Sequence, residues 1–309
     1  MIRLLKLLTV LFVVVCGCGR EKPFPIPMVD SLPFTFFVVA DTHYGLDQWE
    51  TNEAANKATI DAMKMLPGSA WPETAGGGVV NAPVGVLVAG DLTDTANYFN
   101  WYGYRLLKRH DGFCDDYGFS GENRLPYPIF EAFGNHDLTE GRPHVLNAIR
   151  ARNARRQGGH VSASGLQSSW DWGGVHFMNL GLYPGETARA SGSLAFLRED
   201  KARLANPKQP VILFHHYGFD HFSVEDRWWT QPERDACFEE IKDLNVLAIF
   251  HGHLHAQKHY QWNGIDVFIA GKAPDGDWLA VQVTTDHLMV TCRTAQGWGP
   301  CWKKEWKTE

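Results

Sequence analysis

The chain of 309 residues has no long basic run, and its formal net charge is −6. A protein that grips nucleic acid mainly through phosphate contacts needs such a run, so no nucleic-acid partner is expected. The six cysteines contain no CxxC zinc spacing. HExxH, the P-loop and G-x-S-x-G are missing too, so the signatures of several other hydrolase classes are absent. Internal repeats, heptads and long low-complexity segments are likewise not found. What remains is ordinary globular composition, 44% hydrophobic and 21% charged, which excludes a largely disordered chain. The length suffices for one large domain or two small ones with a sizeable core. Twelve tryptophans and thirty glycines point to aromatic-rich surfaces and many turns.

The first residues read as a targeting segment. Arg3 and Lys6 give a positive start, and residues 7–15 form an apolar core too short to span a bilayer comfortably. Val15-Cys16-Gly17-Cys18 resembles a bacterial lipoprotein signal with Cys18 as the lipid acceptor, although Cys16 is unusual at its position; a plain secretory signal is the rival. Residues 1–18 are therefore expected to be a lipoprotein-type signal peptide, and the protein a lipoprotein tethered on the extracytoplasmic side of a bacterial membrane. Cleavage before Cys18 removes two positive charges and no negative ones, taking the net charge from −6 to −8. Residues 19–33 carry Pro23, Pro25, Pro27 and Pro33 and read as an extended tether, or alternatively as an arm packed on the domain that follows over 34–309. An exported chain permits disulfides: Cys292 with Cys301 across a short loop, then Cys114 with Cys237 by elimination.

Five apolar runs read as buried strands: residues 35–40, 84–89, 127–133, 211–214 and 246–250. Each runs into polar residues that can bind metal. These are Asp41 and His43, Asp91 and Asp94, Asn135 and His136, His215 and His216, and His253 and His255. Any one of these ends could be a helix cap or a turn. Five in one chain are hard to explain as packing, and strand C-terminal ends are where α/β proteins place their sites. Helical spacing covers residues 52–66, 98–110, 193–204 and 232–244; residues 69–83 and 111–126 read as loops. Gly173-Gly174 marks a hairpin, in which His176 is a satisfied sheet histidine. Further strands are expected at 264–270, 278–284 and 288–292.

In order, D-x-H, G-D-x-x-D, G-N-H-D, a strand-terminal His and G-H-x-H resemble the calcineurin-like metallophosphoesterase superfamily over about residues 34–270. The resemblance implies an α+β fold of four layers, a central β-sandwich flanked by helices. It implies two divalent or trivalent metal ions, Zn, Mn or Fe, suited to mixed nitrogen and oxygen ligands. Carried over, Asp41, His43 and His255 would hold one metal and Asn135, His215 and His253 the other, with Asp91 between them. His136 would serve the leaving group and Asp94 would orient or charge it. The implied activity is hydrolysis of a phosphate mono- or diester by a hydroxide shared between the metals. Strand phasing favours His215 over His216 as ligand, leaving His216 to touch substrate. His251 is either held behind the ligands or a buried strand histidine. Asp137 is left out of the site as a brace for its turn. Tyr217-Gly218 stand where the family often has a proline, and the loops at 69–83 and 111–126 look long, so they and residues 219–230 with Trp228-Trp229 are expected to wall the site. A non-catalytic scaffold on the same fold is the competing reading from another class; a nuclease or cyclic-nucleotide phosphodiesterase of the superfamily is the third.

Overall fold

An apolar run buried on both faces needs a partner on each side, and the alternation of a strand sends successive side chains to opposite partners. The computed structural model describes residues 22–45, 49–94, 102–138, 143–219 and 228–306. Its first half contains β1 (Phe24–Pro25), β2 (Phe34–Val39), α1 (Trp49–Met65), β3 (Pro83–Ala89), α2 (Tyr102–Tyr117), β4 (Ile129–Ala132) and α3 (His144–Asn153). Next come β5 (Arg156–Gln157), β6 (His160–Val161), β7 (Ser168–Trp172), β8 (Val175–Asn179), α4 (Ser193–Lys201), β9 (Pro210–Phe214) and α5 (Gln231–Ile241). The chain continues with β10 (Asn245–His251), β11 (Gln257–Trp262), β12 (Ile265–Ala270), β13 (Trp278–Val283), β14 (His287–Thr294) and β15 (Gly297–Glu305).

Six strands form one sheet in the order β15-β14-β13-β2-β3-β4, and seven form the other in the order β11-β12-β10-β9-β8-β7-β6. Phe36, Val38 and Ala40 point between the sheets with Leu87, Phe130, Trp170, Phe177, Ile212, Phe214 and Phe250. Phe37 and Val39 point the other way, into a core shared with Ile60 and Met63 of α1 and Phe113 and Tyr117 of α2. Val211, Leu213 and Ile249 do the same on the second sheet, in the cluster that holds Leu194 and Leu197 of α4 and Cys237 and Ile241 of α5. The four layers are thus helices, sheet, sheet, helices. Within each sheet the site-bearing strands are parallel: β2, β3 and β4 in one, β9 and β10 in the other.

Several local expectations change. α2 runs through Tyr117, consuming half of the loop expected at 111–126, because Phe113 and Tyr117 fall one turn apart and stack at 4.9 Å. β11 and β15 escaped the sequence reading; both are sheet edges with polar or Gly/Pro-containing sequences and lack an apolar run. α5 begins where a T-x-x-E capping box dictates: Glu233 accepts from both the backbone amide and the hydroxyl of Thr230 at 3.0 Å.

The expected disulfides are corrected, since all four described cysteines are free. Cys301 sits opposite Thr291, so Cys292 faces the inter-sheet core while Cys301 packs against the outer one. Cys114 of α2 lies against His110 and Arg152, and Cys237 is buried on α5. The proline-rich segment is an arm where it is described. Phe24–Pro25 pairs with Arg156–Gln157, Ile26 is buried, and Pro27 accepts a hydrogen bond from the Trp172 indole at 3.0 Å. The expected signal segment and Cys18 lie outside the described residues, and no described helix is long and apolar enough to cross a membrane.

Candidate metal centre

The strand exits of the six-stranded sheet are laced together by continued parallel pairing. Asp41 N–H donates to Gly90, His43 N–H to Asp91 and Tyr44 N–H to Leu92, at 3.0–3.1 Å. Asn52 and Asn56, one turn apart on α1, hold this loop from the helix side. Their amides donate to the carbonyls of His43 at 2.5 Å and Thr42 at 2.7 Å. The backbone they fix is unusual. Asp41, His43, Asp91, His253 and His255 all have left-handed φ, between 43° and 74°. For a non-glycine residue this costs on the order of 1 kcal/mol or more, and such strain concentrates at functional sites.

Asp137, left aside in the sequence reading, braces two exits at once. Its carboxylate accepts from the amides of Gly134 (2.8 Å), Leu92 (3.1 Å) and Thr93 (3.0 Å) and from the Thr93 hydroxyl (3.0 Å). Burial and neighbouring Asp91 push its acid up to about 6 against the pull of those donors. The glycine beside it is a matter of space. A Cβ on Gly134 would stand 2.1 Å from Asp91 Oδ1. Gly252 of the last motif is similar, with a Cβ there falling 2.5 Å from Asp41 Oδ2.

Two ligand sets converge on Asp91. In one, His43 Nε2 and His255 Nε2 lie 2.9 Å apart, with Asp41 Oδ1 at 3.7 and 3.3 Å from them. Asp91 Oδ2 is 3.8 Å from His43 Nε2. In the other, His216 Nε2 is 3.1 Å from Asp91 Oδ2 and 3.2 Å from Asn135 Oδ1, and His253 belongs to the same group. His136 meets His43 edge-on at 4.8 Å, with Nδ1 3.2 Å from Asp94 Oδ1 and its amide donating to Asp91 Oδ1 at 2.8 Å, and His43, Asp94 and His136 form a third group.

The donor set fits cations. His216 Nδ1–H must donate to the Ala89 carbonyl at 2.8 Å, because a carbonyl only accepts. Nε2 of the neutral ring then aims a lone pair at two more oxygen atoms. Likewise, two imidazole nitrogens and two carboxylates crowd around the His43–His255 gap. So many acceptors meet only across protons or metal ions.

The protein groups alone show that demand. Burial opposes ionisation of Asp91, yet His216, His43 and His136 hold its carboxyl well below the usual range. Burial draws His216 down, but Asp91 outweighs it and lifts the ring up to about 9, so a proton sits where a cation would. Burial and the charge of His216 hold His253 low and neutral. On His136, burial pulls down and Asp94 and Asp91 pull up, for a net rise.

The preference for His215 over His216 is corrected by position. Val211, Leu213 and His215 form the outward-facing set of β9 and its exit, whereas Ile212, Phe214 and His216 face the gap between the sheets. The site sits over that gap. His215 instead packs against Phe219 and Trp229 at 5.6 and 6.0 Å, and burial followed by His251 pushes it down to about 3. Its Nδ1 has no hydrogen-bond partner among the described residues. His251 is fully buried and shares this outward side, stacked on His215 at 6.4 Å.

Of the expected walls, residues 220–227 lie outside the described residues. Trp229 is buried, with its indole donating to Gly218 at 2.9 Å; Trp228 meets His253 edge-on at 4.6 Å. His176 is a satisfied sheet histidine, held between Asp200 at 2.9 Å and Asp171 at 3.0 Å.

A family model described as calcineurin-like phosphoesterase matches residues 34–257. No curated protein sequence matches the chain. Among solved structures, a dimetal phosphatase from Danio rerio is similar with a TM-score of 0.56 at 12% identity, over 89% of this chain and 99% of that one. PhoD is similar with a TM-score of 0.53 at 10% identity, over 92% and 70%. An anchor in the inner membrane complex of Plasmodium is similar with a TM-score of 0.52 at 9% identity, over 90% and 89%. At such identities these likenesses show the shared fold.

Proposed function

Because the chain belongs to the calcineurin-like phosphoesterase family, we propose that it is a dinuclear-metal hydrolase of phosphate mono- or diesters. The observation that carries this reading is the pair of ligand sets meeting at Asp91, with His136 and Asp94 grouped beside them against His43. Asp41, His43 and His255 would hold one cation. Asn135, His216 and His253 would hold the other, and the Asp91 carboxylate lies between. When bound, two divalent ions supply Lewis acidity and positive charge for a phosphoryl group. The buried ligand rings, fixed from behind by contacts such as His216 to Ala89, keep their lone pairs turned inward. His136, partly open to solvent, pairs through Nδ1 with Asp94, which favours the protonated ring over the opposing pull of burial. Its Nε2–H can be given to the departing alkoxide, an assistance typically worth about 10²–10⁴-fold.

A non-catalytic scaffold is the second reading, and the Plasmodium anchor shows that a protein of this fold can be described by attachment. Here the His136–Asp94 pair favours turnover. For placement in the cell, residues 1–18 support export and attachment through Cys18, which mass spectrometry of the mature N-terminus tests.

The direct experiment reconstitutes the protein with Zn, Mn or Fe and counts bound metal. Turnover of a model phosphomonoester and a model diester is then assayed with and without chelator. Hydrolysis of at least one, abolished by chelation, is the expected outcome. Two filled sites with no turnover of either ester would overturn the enzyme reading.

A further inference from the structure

The two loops that carry His216 and His253 leave neighbouring parallel strands, β9 and β10, and must keep a set spacing for both rings to reach one ion. Edge strand β11 bears on both. The Tyr260 hydroxyl lies 2.8 Å from His251 Nε2 and accepts the Phe219 amide at 2.8 Å. His251 Nδ1–H donates to the Gly252 carbonyl at 2.8 Å, which leaves Nε2 as the acceptor for the Tyr260 O–H. The direction of each contact in this chain follows. Phe219 N–H gives to Tyr260, Tyr260 gives to His251, and His251 gives to Gly252.

The contact surfaces leave little slack. A Cβ on Gly218 would lie 2.0 Å from the His251 ring, so the first loop rests on the imidazole itself. Trp262, two residues beyond Tyr260 on the same face of β11, stacks on Phe219 at 3.6 Å. Gly252 N–H donates to the His216 carbonyl at 3.3 Å, joining the loops again on the site side.

We infer that Tyr260 is a positioning residue for the cation site of His216 and His253: through His251 and the Phe219 amide, its hydroxyl sets the spacing of the two ligand loops. The inference rests on the dinuclear reading above. Tyr260 lies outside every motif, and its contacts with Phe219 and His251 pass to the ligand loops through backbone.

The test is Tyr260→Phe, which keeps the ring and removes only the hydroxyl. Metal content and affinity of wild type and variant are measured by titrating metal-free protein with Zn²⁺ or Mn²⁺ alone, followed by kcat and KM on a model ester. Expected is a loss of about 10–100-fold in affinity for one of two ions, the usual range for a group behind a ligand. The other ion should bind as before. kcat should fall with KM little changed and recover in excess metal, while the melting temperature of the metal-free protein stays near that of wild type. A structural role alone would lower the melting temperature without splitting the two affinities. His251→Gln is the second variant; combined with Tyr260→Phe it should add little further loss of affinity, because both break one chain of contacts. If wild type binds two ions and Tyr260→Phe binds both unchanged, the positioning role is overturned. If wild type itself binds fewer than two, the dinuclear reading fails instead.

Discussion

Asp94→Asn isolates the charge that keeps His136 protonated. The carboxylate Oδ1 lies 3.2 Å from His136 Nδ1, and the amide is nearly the same size. Two unit charges at that separation interact by about 5 kcal/mol at an effective dielectric of about 20. His136 is 32% exposed, so solvent screening cuts this to about 1–2 kcal/mol. A histidine whose pKa is raised keeps its proton to higher pH and loses it as pH climbs through the raised value. In wild type, kcat/KM therefore falls on an alkaline limb lying above the ordinary histidine range. In Asp94→Asn that limb should move to lower pH, by an amount set by the loss of about 1–2 kcal/mol of pairing. On the limb this is roughly tenfold in rate; well below it the two enzymes should agree closely. The assay is kcat/KM against pH at saturating metal, with bound metal counted in each sample because Asp94 also lies 3.6 Å from His43 Nδ1. In a His136→Ala background the same substitution should change little. Rates reduced equally at every pH, with metal content intact, would refute the charge argument.

The other expectations concern the ligand choice and the far side of the sandwich. His216→Ala should lower bound metal from two ions toward one, whereas His215→Ala should leave the count unchanged; elemental analysis after dialysis separates them. His176 is lifted to about 9: burial pulls it down, and Asp171 and Asp200 outweigh that. It should contribute up to about 3 kcal/mol below its unfolded pKa, near 6.5, a contribution lost as pH rises through about 9. Urea unfolding at pH 6.5 and 9.5 should show that difference, and His176→Gln should shrink it.

What could be read in the sequence were features carried by local chemistry. The five apolar runs and their polar ends lie where expected, because buried parallel strands are continuous in sequence and the polar residues follow directly at their exits. Choosing His215 failed through a phasing error: counting from Phe214 into the inter-sheet core puts His216 on the site side. Asp137 was legible only as a turn residue, since its partners Leu92 and Thr93 are 45 and 44 positions away. Tyr260 carries no signal of its own, as its role depends on loops that meet only in the folded sheet. The disulfide expectation failed on register. Closeness in sequence does not place two cysteines on one face when Cys301 pairs with Thr291.

The proposed ligands are divided between the sheets, Asp41, His43, Asp91 and Asn135 on one and His216, His253 and His255 on the other. The centre therefore measures shear. A slide of one sheet over the other by a fraction of an ångström changes distances in both ligand sets together. The interlocked rings of Phe36, Trp170, Phe177 and Phe250 are what resist that slide. Repacking this aromatic seam, away from the proposed ligands, is then expected to shift the affinity of the proposed centre without altering one of its donor atoms.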